Sequence, residues 1–106
     1  MSASVQPAPA TATGVDTGKS SLESLVSLSR QLEGTLRQAR LEVGAMPAYS
    51  VAYAVELEDL VAQLDLAISR DPQSRELWGQ RVDLLLDLNE LYRAQMRRDY
   101  SRMASL

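Results

Sequence analysis

From Ser20 onward, apolar side chains recur at steps of three and four residues, which is the spacing of an amphipathic α-helix. The first stripe consists of Leu22, Leu25, Leu28, Leu32, Leu36, Ala39 and Val43. Ser20 and Glu23 match a capping box at its start. Gly44 and Pro47 end it, because glycine takes the left-handed conformation after a helix and proline cannot continue one. The pattern predicts helix one over residues 21–43.

A second helix is predicted over residues 51–69. Its core face consists of Tyr53, Leu57, Leu60, Val61, Leu64, Ala67 and Ile68. A weaker apolar stripe lies on the opposite face and consists of Ala52, Val55, Ala62 and Leu66. Two interpretations of this stripe stay open: scattered surface residues, which are normal, or contact with a second copy of the chain. Under the second interpretation Leu66 is the main contact.

A third helix is predicted over residues 72–103, with Asp71 as its cap and Pro72 as its first residue. The turn before it is short, which makes helices two and three an antiparallel hairpin. Its apolar face covers roughly half the circumference, more than one neighbouring helix can cover. That face consists of Leu77, Trp78, Val82, Leu84, Leu85, Leu88, Leu91, Tyr92 and Met96. The predicted fold is all-α, an antiparallel helical hairpin or a three-helix bundle with a long C-terminal helix.

Residues 1–19 are rich in Ala, Thr, Ser, Pro and Gly, and we predict a flexible linker or tail there, followed by a helical domain over residues 20–106. The tail lacks the cationic start and apolar core of a signal peptide. The sequence has no run of about 18 apolar residues, the length that spans a membrane.

The 106 residues include 14 acidic and 11 basic side chains and no Cys, His or Phe. Without Cys or His, disulfide scaffolds, zinc sites, haem ligation and Cys or Ser-His nucleophiles are excluded from this chain. Only residues 93–106 carry a net positive charge and the middle is acidic, so we expect no nucleic-acid partner. We predict a non-enzymatic protein with no cofactor and no metal.

Two groups of charged side chains on helix three are candidates for a chemical or a structural role. Asp83, Asp87 and Glu90 share a helical face and could act as acid and base or bind a hard cation, but they lie opposite the core and we interpret them as a solvated face. Arg81 lies near the centre of the apolar face, where an unpaired charge would be costly. We expect it to form a buried ion pair whose candidate partners are Glu58 and Asp65.

Self-association is expected for so short a chain, and we predict a homodimer. The candidate interface residues are Val55, Ala62, Leu66, Trp78, Tyr92 and Met96. The C-terminal cations Arg93, Arg97, Arg98 and Arg102 complement the helix dipole. A grip on an acidic protein partner or a membrane surface is the alternative role for them.

Two blocks resemble a known family. Leu57-Glu58-Asp59-Leu60 with Gln63-Leu64-Asp65 is the first, and Glu76-Leu77-Trp78-Gly79-Gln80-Arg81-Val82-Asp83-Leu84 is the second. They are similar to the region after the transmembrane helix in membrane-anchored anti-sigma factors of gamma-proteobacteria. The likeness extends over roughly residues 22–100.

The resemblance implies a periplasmic sensory segment of an inner-membrane protein that controls transcription in response to envelope signals. The membrane span would lie upstream, with residues 1–19 as the juxtamembrane linker, and an envelope protein could be a partner. The alternative is a free-standing cytoplasmic helical adaptor or chaperone-like protein that binds a partner helix through the wide face of helix three.

Overall fold

The computed structural model describes the backbone of residues 7–105 and the side chains of residues 21–105. It contains three α-helices: α1 over Pro7–Glu42, α2 over Ala48–Arg70 and α3 over Arg75–Ala104. Residues 7–105 contain no strand, and the prediction of an all-α three-helix bundle with a long C-terminal helix is confirmed. No helix in this part of the chain is both long enough and apolar enough to span a bilayer.

The helix α3 is the centre of the bundle, because it packs against both α1 and α2. In the described residues, no Cα atom of α1 lies within 8 Å of a Cα atom of α2. The helix α1 runs parallel to α3: Ser29 bonds to Arg81, and further along both helices Leu32 bonds to Asn89. The short turn between α2 and α3 makes that pair antiparallel, as expected.

One apolar core joins the three helices. Its fully buried members are Leu36, Ala39, Ala54, Leu57, Leu85, Leu88 and Tyr92. The wide apolar face of α3 is therefore divided between α1 and α2 and is covered within the chain. Two of the predicted interface residues belong to this core, since Tyr92 is buried and Met96 packs against the cluster. A contact of these two residues with a second copy of the chain stays a prediction.

The start of α1 differs from the prediction. Helix one was expected to begin after a cap at Ser20, with a linker before it, but α1 begins at Pro7 and Ser20 lies inside the helix. Alanine is the strongest helix former, and this segment is rich in it. Pro7 and Pro9 fall in the first turn, where a backbone N–H has no acceptor within the helix, so proline is tolerated there. The part of the predicted linker over residues 1–6 lies outside the described residues.

The loop between α1 and α2 also differs in detail. Gly44 was expected in the left-handed conformation, but no glycine in the described residues has a positive φ. The amide of Val43 still donates to the carbonyl of Ala39 at 2.9 Å, so the last turn closes in the ordinary way. Pro47 then caps α2, and the amides of Ser50 and Val51 donate to its carbonyl, which starts α2 earlier than predicted.

The start of α3 lies after the predicted cap. Ser74 is the N-cap, and its hydroxyl accepts a hydrogen bond from the Leu77 amide at 3.2 Å. The predicted cap and first residue, Asp71 and Pro72, belong to the preceding turn. A serine hydroxyl satisfies an unpaired amide of the first turn. The Pro72 carbonyl is meanwhile occupied, because the Trp78 indole Nε1 donates to it at 2.9 Å.

We expect Leu88→Ala to lower the free energy of unfolding by about 3 kcal/mol, because it opens a cavity in a closed core. Leu88 is 1% exposed and is among the largest fully buried side chains. Leu86→Ala is the matched control, since Leu86 lies on the same helix and is 47% exposed. That control should cost about 1 kcal/mol or less. Urea unfolding followed by circular dichroism measures both, and equal losses would contradict the core assignment.

Candidate functional site

A groove lies between α1 and α2, with α3 as its floor. It has a volume of about 340 Å³. Apolar side chains of all three helices line its depth, and charged side chains line its walls. The lining residues are Glu33, Leu36, Arg37, Arg40, Glu58, Val61, Ala62, Asp65, Arg81, Leu85 and Leu88.

Arg81 lies at the floor of this groove and is 7% exposed. Its Nε donates to Asp65 Oδ1 on α2 at 2.6 Å. On α1, its Nη1 donates to Ser29 Oγ at 2.6 Å and its Nη2 donates to Glu33 Oε2 at 2.9 Å. One guanidinium therefore joins all three helices, with each bond using the fixed fork geometry of arginine.

The charge of Arg81 is secured by these partners. Burial lowers the pKa of Arg81, and the hydrogen bonds that it donates to Glu33 and Asp65, together with their charges, raise it by more, so the net direction is upward. The two acids remain about half exposed, at 42% and 51% of their side-chain surface. Arg81 is thus a buried cation whose counter-charges lie at the solvent edge of the groove.

The predicted ion pair is partly as expected. Asp65 binds Arg81, whereas Glu58 binds Arg40 on α1, closer to the loop between α1 and α2. Burial lowers the pKa of Arg40, and its bonds to Tyr92 and Glu58 raise it by more.

The sequence reasoning missed two partners of Arg81, Ser29 and Glu33. A signal for Ser29 was present, because Ser29 lies four residues after Leu25 and three before Leu32. It is therefore a hydroxyl on the apolar stripe of helix one.

The outer edge of the groove carries exposed apolar side chains. Leu66 is 63% exposed and Val55 is 50% exposed, and Ala62 is also exposed. Leu41 on α1 is 80% exposed. The weak stripe predicted on helix two is therefore an exposed apolar edge beside the groove.

Trp78, the remaining interface candidate, is half-buried near the start of α3, beside Leu22 and Val26 of α1. It lines a shallow pocket with Leu22, Val26 and the turn residue Pro72. The structure thus separates Trp78 from the exposed apolar edge, and brings together only Val55, Ala62 and Leu66 among the predicted interface residues.

The arginine-rich end of α3 is bonded largely within its own helix. Arg97 donates to Glu90, and Arg102 donates to Asp99. Arg98 donates to the amide oxygen of Gln95, a side chain that is only 1% exposed. These local bonds engage Arg97, Arg98 and Arg102, three of the four cations that are predicted to complement the dipole or to bind an acidic partner.

The acidic cluster on α3 is solvent-facing. Asp83, Asp87 and Glu90 are exposed, and Glu90 accepts from Arg97 at 2.7 Å. Within the described side chains, no group of three or more Asp and Glu residues is arranged to hold a metal ion.

Comparison of the chain with protein-family models, with curated proteins and with solved structures found no match.

We expect Arg81→Ala to lower the free energy of unfolding by about 3 kcal/mol, because it leaves a buried serine and two acids without their shared cation. Arg97→Ala is the control, since its side chain is 64% exposed and its pair with Glu90 lies on the solvent side of α3. Exposed pairs contribute about 1 kcal/mol or less. Chemical unfolding compares the two variants, and equal small losses would show that Arg81 is not a structural anchor.

The Glu90 carboxyl is expected to titrate below the ordinary range of glutamate, because the Arg97 hydrogen bond and charge lower its pKa. A lowered pKa in the folded state stabilises the fold above the unfolded pKa, and this contribution is lost as pH falls through the folded pKa. NMR titration of the side chain should show the lowered pKa, and Arg97→Ala should raise it toward the usual value. An unchanged pKa in that variant would contradict the assigned cause.

Proposed function

We propose that this chain is a non-enzymatic regulatory domain that works by protein–protein contact through the surface formed by α1 and α2. The observation that carries the proposal is the exposed apolar edge of Val55, Ala62 and Leu66 beside a groove lined with charges. The core of the chain is complete without these side chains. Clustered apolar residues with a polar rim are typical of an interaction surface.

In its specific form, the proposal is the periplasmic sensory segment of a membrane-anchored anti-sigma factor. The support is the resemblance of residues 57–65 and 76–84 to that family, together with where these blocks lie. The first block supplies Glu58 and Asp65 to one wall of the groove, and the second supplies Arg81 to its floor. Residues that carry the resemblance thus meet at the surface to which we assign the function.

The regulatory role follows from what such a surface can do. A contact made or broken on the α1–α2 face in the periplasm would change how the attached cytoplasmic domain is held, and so change transcription. An envelope protein or a second copy of the chain could make that contact. No catalytic step is required of these residues.

A cytoplasmic adaptor that grips a partner helix through the wide face of helix three has less support. That face is occupied by α1 and α2, with Leu85 and Leu88 almost fully buried. An adaptor would have to use another surface.

The location is tested by an immunoblot of fractionated cells of the source organism, with an antibody against this chain. We expect a band heavier than the 106 residues in the membrane fraction, because the proposed protein includes a membrane span and a cytoplasmic domain. A soluble band at the mass of this chain would reject the anti-sigma assignment and favour the adaptor.

Regulation is tested by Leu66→Arg introduced into the chromosomal gene. A charge within an apolar contact surface weakens binding, so we expect the variant to change the same set of transcripts that deletion of the gene changes. Leu86→Arg on the outer face of α3 is the matched control, because Leu86 is exposed but lies away from the groove. Transcript profiles identical to wild type for both variants, at equal protein levels, would contradict the proposed surface.

A further inference from the structure

The face of the bundle opposite α3, which we name the open face, has the same pattern on both of its helices. On α1, Arg37 lines the groove, and Arg30 and Leu41 lie seven residues before it and four after it. On α2, Ala62 lines the groove, with Val55 and Leu66 at the same two spacings. Residues at these spacings share a helical face. Each helix therefore presents a row of three side chains to the same surface.

The two halves of the open face carry opposite charge. The α1 half has Arg30, Arg37 and Arg40, with one acid, Glu33, that is paired with Arg81. The α2 half has Glu58, Asp59 and Asp65. In the part of the chain that the structure describes, Arg37 and Asp59 form no ion pair with other side chains. A surface with a basic half and an acidic half is complementary to itself when one copy is rotated onto another.

We infer that a second copy of this chain docks on the open face about a two-fold axis parallel to the helices, with α1 of each copy on α2 of the other. The inference deepens the proposed function and rests on it for its biological role. Charge selects this axis: a two-fold axis across the helices would lay α1 on α1 and bring the arginine rows together. The chosen axis places each basic half on an acidic half.

The heights of the side chains along the bundle agree with this arrangement. The bond between Arg40 and Glu58 puts these residues at one level. Rotation about a two-fold axis parallel to the helices leaves the height of every residue along the bundle unchanged. Arg37 of one copy therefore lies at about the height of Asp59 and Ala62 in the other. Leu41 of one copy likewise meets Val55 of the other. The most exposed leucine of α1 then contacts the exposed apolar edge of α2.

The open face is large enough for a specific dimer. The helix α2 has 23 residues, which makes it about 35 Å long, and two helices side by side are about 20 Å wide. The face then buries about 700 Å² per copy, close to the roughly 800 Å² of standard specific complexes.

The test uses two charge-reversal variants, Arg37→Glu and Asp59→Arg, and sedimentation of each alone and of the equimolar mixture. Wild type should sediment as a dimer. Each variant alone places two like-charge contacts in its homodimer, so its dissociation constant should rise by about tenfold or more. In the mixture both contacts pair an acid with an arginine, so a heterodimer should form with affinity close to that of wild type. Circular dichroism verifies that both variants fold.

Arg97→Glu and Asp83→Arg are the matched controls, because they reverse the same charges on the outer face of α3. They should leave the dimer unchanged. A wild-type monomer across the micromolar range would overturn the inference, and so would variants that weaken the dimer but do not recover on mixing. If the wild type is a monomer but Leu66→Arg still changes the transcripts, this inference is rejected and the proposed function is retained.

Discussion

The burial of one positive charge determines how this bundle is arranged. Arg81 lies where three helices converge, and an arginine cannot lose its charge to suit an apolar site. It must therefore find acceptors, and it finds them on both neighbours: Ser29 and Glu33 on α1 and Asp65 on α2. Since the fork geometry of the guanidinium is rigid, these bonds fix where α1 and α2 lie along α3. A buried ion pair adds little net stability, but it restricts the arrangements that the chain can adopt.

The same constraint explains why α1 and α2 stand apart. A bundle that closed over Arg81 would have to bury Glu33 and Asp65 as well, and taking further charges out of water is costly. The observed structure keeps both acids about half exposed and leaves a groove above the guanidinium. The apolar edge of α2 is uncovered for the same reason, because α1 does not reach it. The site and the fold are thus two results of one buried cation.

The sequence predicted the core more accurately than it predicted the ends of the helices. The spacing of leucines located three helices, and the position of Arg81 on an apolar face predicted its burial and an ion pair with Glu58 or Asp65, of which Asp65 is the partner observed. The capping signals were ambiguous, since Asp71 and Ser74 can each begin α3, and since the alanine-rich segment before Ser20 is itself helical. Ser74 is the cap of α3 because the Trp78 indole holds the Pro72 carbonyl in the turn. A contact of this kind has no signature in local propensity.

The partners of Arg81 on α1 were harder to predict for a different reason. Pairing between α1 and α3 joins residues about fifty positions apart, and the helical period alone leaves the sliding of one helix along the other undetermined. Ser29 on an apolar stripe was the one local sign of a polar contact. Helical periodicity identifies which face of a helix is buried, whereas relative height is decided by a few directional bonds. In this chain those bonds belong to Arg81, Asn89 and Arg40, and together they set the height of α1 against both α2 and α3.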